Sequence, residues 1–265
     1  MYKVMLFIFL IVSCASHQIS TKVSTELKTI KSVTSSVILT ADEKKKLLTP
    51  TIYYIPRHTD FENNDCLEIE KTNLITIKNE IIAKSCRKVY KACEMEGTCI
   101  VESNGKSVLI NIDERNSEGV RTFQVIQDKY CIYGLGAARD RVKGYRHMCI
   151  DPFYSVAADL SIYNLGDVLF VPLLKGLILP DGHKHNGYFI VRDSGGLIKG
   201  EGRFDFFTGY FGINRKNPFY KLGLAGDNIF PDYKLIKGKE ADHIRKLRLF
   251  PYLKLPLKKT AQVSN

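Results

Sequence analysis

From Thr51 onward, short runs of β-branched and aromatic residues recur: TIYYI, NLITI, EIIA, SVLINI, RTFQVI, DVLFVPLL and GYFIV. Asn-Gly, Pro-Asp-Gly and Gly-Gly separate many of them. Such runs suit strands better than helices, and the intervening Gly, Asn and Asp supply the positive φ and local hydrogen bonds that tight turns need. A chain punctuated in this way folds as a mostly β domain. Helical periodicity is sparse. KEADHIRKLRLF, residues 239–250, sets Ala241, Ile244, Leu247 and Phe250 at helical spacing and reads as a short C-terminal helix. With 265 residues, 45% of them apolar, a core is within reach, and no internal repeat is evident.

At the N-terminus, Lys3 precedes an apolar run from Val4 to Val12, followed by Ser13 and Cys14. The run is too short to span a bilayer and reads as the apolar stretch of a secretory signal. The tetrad Ile11, Val12, Ser13, Cys14 resembles the bacterial lipoprotein signal, which implies lipidation of Cys14, export and an acyl anchor. Each buried methylene of such an anchor contributes about 0.8 kcal/mol. Ala15 and Ser16, in place of Asp, point to an outer-membrane lipoprotein facing the periplasm.

Six further cysteines, Cys66, Cys86, Cys93, Cys99, Cys131 and Cys149, read as disulfides in an oxidising compartment, with the pairing left open. Zinc is the competing use, but there is no C-x-x-C spacing. His183 and His185 form an H-x-H pair with no identifiable third ligand, so no metal and no cofactor is expected and His185 reads as part of a polar groove-lining loop. The net charge of +11 attracts polyanions. For an exported protein, wall carboxylates or anionic headgroups fit that charge, and nucleic acid does not.

The stretch FIVRDSGGLIKGEGRFDFFTG, residues 189–209, holds two aspartates around a glycine-rich turn. Strict strand alternation would put Phe189, Val191 and Asp193 on one face and Tyr188, Ile190 and Arg192 on the other. In the second strand Phe204 and Phe206 point inward while Arg203, Asp205 and Phe207 share the opposite surface. Asp-Ser-Gly after two apolar residues is also the aspartic protease signature, but that chemistry needs two aspartates sharing a proton, and only one D-S-G is present.

The whole stretch fits another pattern better. D-x-G-G-x-I-K-G followed by R-x-D, here Asp193, Gly195, Gly196, Ile198, Lys199, Gly200, Arg203 and Asp205, resembles the three-aspartate (3D) domain of membrane-bound lytic transglycosylases of the MltA type. Asp159, in SVAADLSIYNLGDVLFVP with Gly166 in register, matches that family's first aspartate. The interval from Asp159 to Asp193 is longer than the compact pattern. Its excess, LLKGLILPDGHKHNG, carries turn signals of an inserted hairpin.

The resemblance implies a six-stranded double-psi β-barrel over residues 119–236. Around it lie a signal peptide at 1–13, a Ser/Thr/Lys-rich tether at 14–50, a cysteine-containing β region at 51–118, and a basic helix and tail at 237–265. It also implies a monomer acting on peptidoglycan glycan strands, with Asp205 as catalytic acid and base and Asp193 and Asp159 as companion acids. Ser194, Gly195, Gly196, Lys199, Arg203, Tyr188 and His185 would contact substrate. Tyr210 and Phe211 flank the motif as further rings. A single carboxyl suffices when the attacking group is the substrate's own C6 hydroxyl, because that reaction is intramolecular and yields a 1,6-anhydro sugar. Asp205 must then keep its proton well above the usual carboxylate range, giving a bell-shaped pH profile with its acid limb moved upward. An expansin-like wall-binding module without catalysis is the alternative.

Overall fold

The computed structural model describes residues 50–61, 66–127, 130–138, 147–226, 229 and 231–249. The signal segment, Cys14, the tether up to residue 49, Phe250 and the tail lie outside them.

Six strands form the principal sheet: β1 (Thr51–Tyr53), β9 (Ser155–Ala157), β10 (Val168–Phe170), β11 (Tyr188–Asp193), β12 (Asp205–Phe207) and β13 (Lys234–Ile236). Their order is β1-β12-β9-β11-β10-β13. β1 runs parallel to β12, and β9 parallel to β11; the remaining neighbours are antiparallel. The mostly β reading agrees with expectation; of the six strands, β1 comes from outside the span 119–236 expected to form the barrel, and no closed barrel is seen among the described residues. Among the described residues no pairing joins the edge strands β1 and β13.

The sheet's alternation builds two cores. Ile52, Val156, Leu169, Phe189, Val191 and Phe206 point to one side and pack with Phe204 and Phe219. Each fully buried ring there contributes roughly 1.5–3 kcal/mol. On the other side, Tyr53, Ala157 and Phe207 join Ile55, Ile150 and Ile198 over the β1-β12-β9 half. A helix, α3 (Gly238–Leu247), covers the other half by setting Ala241 and Ile244 on Val168 and Ile190. This is the helix expected at 239–250, except that Leu247 is exposed.

A second group comprises the hairpin β2 (Lys71–Ile75) with β3 (Ile81–Cys86) and the three-stranded sheet β4 (Thr98–Ser103), β5 (Lys106–Arg115) and β6 (Arg121–Val125). Asn104 and Gly105, both at positive φ, make the two-residue turn between β4 and β5 that Asn-Gly favours. The helix α1 (Arg87–Glu96) buries Val89 and Cys93 against these strands. Pairing does not follow the boundary read at residue 118, since β1 belongs to the principal sheet and β6 to this group. A short pair, β7 (Leu135–Ala138) with β8 (His147–Cys149), and a one-turn helix, α2 (Pro218–Lys221), complete the described elements.

All six cysteines pair as disulfides: Cys66–Cys86, Cys93–Cys99 and Cys131–Cys149. The inserted segment is a hairpin, as its turn residues predict. Leu179 and His185 donate backbone bonds to His183 and Leu177, and Gly182 sits at its tip with φ +83.

Candidate active site

Strand register alone assembles the centre of the site. Thr51 lies opposite Asp205, Asp205 opposite Ala157, and Ala157 opposite Asp193, so one row crosses four adjacent strands. Directly opposed residues share a face and stand about 5 Å apart. The methyl of Ala157, between the two aspartates, leaves room for their carboxylates to approach.

Asp193 reaches this face through a bulge. The pairing of β11 with β9 shifts register between Val191 and Asp193, so Arg192 is an extra residue in the row. One added residue turns the following side chain to the opposite face. Asp193 therefore leaves the Val191 side, where strict alternation would put it, and joins Asp205. The displaced Arg192 is buried, donating to the Cys149 and Arg248 carbonyls.

Burial among Tyr53, Phe207 and their neighbours sets the electrostatics. It pushes the Asp205 carboxyl up to about 6, against the opposing pull of Thr51 and Arg203. Asp193 rises to about 7, chiefly by burial and further by the Asp205 charge. Asp193 accepts from its neighbour's amide, Ser194 N, at 2.8 Å. The Tyr53 Oη is buried with no acceptor at hydrogen-bonding geometry, although Asp193 is near enough to bias its proton.

Thr51 fixes where the Asp205 proton sits. Arg203 Nη2 donates to Thr51 Oγ1 at 3.0 Å, and Thr51 Oγ1 donates to Asp205 Oδ1 at 2.7 Å. A guanidinium has no acceptor, so the threonine proton must point at Asp205. Oδ1 is thereby occupied as an acceptor, and a protonated Asp205 carries its hydrogen on Oδ2. Sequence reasoning missed Thr51 and Tyr53; nothing local marks them, because their partners lie some 150 residues downstream.

Asp159 does different work. Its Oδ1 accepts from Ser161 N (3.1 Å) and Oγ (2.8 Å), and its Oδ2 from Gly200 N (3.0 Å). Gly200, at φ +99, is the residue that presents this amide. These donors, with Lys199 Nζ at 3.7 Å, hold the carboxyl down to about 2. Asp159 thus braces the 194–200 loop as an anion, whereas burial moves the Asp193 and Asp205 carboxyls in the opposite direction, toward neutral pH. In that loop Ser194, Gly196 and Lys199 are exposed, and Ile198 folds back so closely that a Cβ on Gly195 would stand 2.7 Å from its Cγ1.

Two expected contacts are not in the site. His185 is buried, stacked on Tyr154 at 4.7 Å; its Nδ1 accepts from Gly187 N, so its Nε2 donates to the Phe153 carbonyl. Burial holds it neutral, with its pKa down at about 4. It is a core histidine, not a groove residue. Tyr188 faces α3, where its hydroxyl donates to Glu240. His183 is exposed beside Asp181, and no metal-binding cluster occurs among the described residues. A cavity of about 510 Å³, lined by Tyr133, Asp151, Tyr154, His183, Tyr210 and Arg248 among others, opens at the other end of β12. It contains none of the three aspartates; its rim at Thr208 lies three residues beyond Asp205, about 10 Å along extended chain.

Residues 154–227 match the 3D domain family model. The match covers β9 to α2 and all three aspartates. No curated protein sequence matches the chain. Among solved structures, it is similar to Escherichia coli MltA with bound chitohexaose, at 15% identity over 69% of this chain and 68% of that one, with a TM-score of 0.41. It is similar also to a membrane-bound lytic murein transglycosylase from Agrobacterium tumefaciens (14%, 60% and 67%, TM-score 0.39). A third is the lytic transglycosylase LtgG of Burkholderia pseudomallei (14%, 70% and 70%, TM-score 0.34).

Proposed function

We propose that the protein is an exported lytic transglycosylase that cleaves the β-1,4 bond between N-acetylmuramic acid and N-acetylglucosamine in peptidoglycan. The observation that carries this reading is the Thr51–Asp205–Ala157–Asp193 row, whose Ala157, Asp193 and Asp205 lie inside the matched 3D domain, with an Asp205 carboxyl raised toward neutral pH. Asp205 Oδ2 donates its proton to the glycosidic oxygen as the bond to the anomeric carbon breaks. The resulting carboxylate takes the proton of the C6 hydroxyl as that oxygen closes on the same carbon. One bond is lost and one formed, the proton returns to Asp205, and no water is consumed.

Arg203 and Thr51 stabilise the carboxylate formed between the two halves of this cycle. Asp193 is the reservoir that shares its charge, so the pair titrates as a unit. Asp159 keeps the Ser194–Lys199 loop against the site, where Ser194, Gly195, Gly196, Lys199 and Arg203 meet the glycan. In this reading the six strands wind as a double-psi barrel, and lipidated Cys14 tethers a monomer to the outer membrane facing the periplasm.

The test is digestion of murein sacculi by the purified protein, with mass analysis of the released muropeptides. Anhydro ends lost in Asp205→Asn support the proposal. Reducing ends would mark a hydrolase, and binding without products a non-catalytic wall-binding module.

A further inference from the structure

The cavity at the far end of β12 is not used by the proposed reaction. Its volume, about 510 Å³, is that of a small-molecule site, and none of its described lining residues belongs to the β2–β6 group or to the 194–200 loop. Its walls come from distant parts of the chain. The Cys131–Cys149 disulfide ties two of them, since Tyr133 and Asp151 each stand two residues beyond one of its cysteines. The inserted hairpin supplies Asp181, His183 and Lys184, and the C-cap of α3 supplies Arg248.

The polar groups of the cavity are only partly satisfied. Arg248 Nε and Nη2 both donate to one oxygen of Asp151, Oδ2, and the guanidinium lies 3.7 Å from the centre of the Tyr154 ring. Asp151 is 6% exposed, yet among the described residues its Oδ1 makes no hydrogen bond, and neither does the Tyr154 hydroxyl. A nearly buried carboxylate oxygen calls for a donor, and the cavity is the space in which one can stand.

Charge and shape select the ligand. With His183 counted as neutral, Asp151 and Asp181 balance Arg248 and Lys184, so the cavity is neutral in a chain of net charge +11. A phosphate or carboxylate ligand calls for an excess of cations. A hydrocarbon would desolvate the Asp151–Arg248 pair and give Oδ1 no donor. Tyr133 and Tyr210, with ring centres 5.5 Å apart, add aromatic surface. Balanced donors and acceptors beside such rings suit a pyranose, whose hydroxyls donate and accept and whose C–H face packs on a ring.

We propose that this cavity is a saccharide site separate from the three aspartates, taking a neutral sugar between the inserted hairpin and the Asp151–Arg248 pair. The inference stands apart from the transglycosylase reading, which bears only on whose glycan reaches the cavity.

The test is amide NMR of the full chain, in the Asp205→Asn background to prevent turnover, titrated with chitotriose, cellotriose and inorganic phosphate. Lys184, Gly209 and Phe211 should shift saturably with sugar and not with phosphate; a stronger response to chitotriose identifies an amino-sugar glycan, an equal one a general polysaccharide. Tyr154→Phe, which keeps the ring between Arg248 and His185, should weaken binding at these amides about fivefold, and Tyr133→Ala about tenfold, with the responses of Gly196 and Gly200 unchanged. No saturable shift at the cavity, shifts driven by phosphate alone, or unchanged affinity in both variants overturns the inference. Anhydro products from sacculi are scored separately on the parent protein. Sugar binding at the cavity without such products leaves this site standing and removes the transglycosylase reading; products without cavity shifts do the reverse.

Discussion

Asp205→Asn should inactivate the protein and stabilise it, and the size of the gain follows from the site. Burial raises the Asp205 carboxyl from 3.8 to about 6, a rise of about two units. At about 1.4 kcal/mol per unit, the ionised form destabilises the fold by at most about 3 kcal/mol. Partial exposure and sharing of charge with Asp193 bring the expected value to about 1–2 kcal/mol. The sign follows from linkage. The folded chain binds the proton more tightly than the unfolded one, so this contribution favours folding below about pH 4 and is lost as pH rises to about 6. Asparagine keeps an Oδ1 acceptor for Thr51 and does not titrate, so its advantage appears only once aspartate ionises. In thermal melts of the full chain with disulfides intact, Asp205→Asn should match the parent near pH 4 and exceed it by about 3–6 °C near pH 7.5. An equal gain at both pH values, or a loss at the higher one in a folded protein, would refute a buried proton-holding carboxyl at this position.

Thr51→Val removes the donor that stabilises the Asp205 carboxylate, so the Asp205 midpoint and the alkaline limb of kcat should rise, and Thr51→Ser should restore both; pH–rate profiles on sacculi decide it. Asp159→Ala should speed amide exchange at Gly200 and Ser161 about tenfold or more while leaving the Asp205 midpoint in place, the mark of a loop brace, as read by hydrogen exchange and carboxyl titration. His185→Ala should cost about 2–4 kcal/mol in denaturant melts, because it leaves the Gly187 amide and Phe153 carbonyl buried without partners and opens a void beside Phe189. His183→Ala, on an exposed loop, should leave stability within about 0.5 kcal/mol of the parent.

What the sequence made legible is what short-range physics controls. The strand runs, the Asn-Gly turn at 104–105, the hairpin at 177–185 and the Asp193 to Asp205 loop each depend on residues within a dozen positions, and each appears where turn chemistry and alternation put it. The α1 helix escaped notice because only Val89 and Cys93 of its ten residues are buried, too little apolar periodicity to register. The site was half legible for a related reason. Asp205 sits on the face alternation assigns it, but Asp193 arrives through a one-residue bulge that no local propensity marks, and His185 is drawn into the core by aromatic partners on three other segments. Thr51 and Tyr53 come from parallel pairing across the whole domain. Parallel strands cannot be joined by a tight turn, so their register leaves no signature between them. The motif therefore names the carboxylates, while the groups that decide how firmly those carboxylates hold a proton are supplied from far away in the chain. Residues outside a matched motif, on the strand parallel to it, are accordingly where the functional tuning of such a site should be sought.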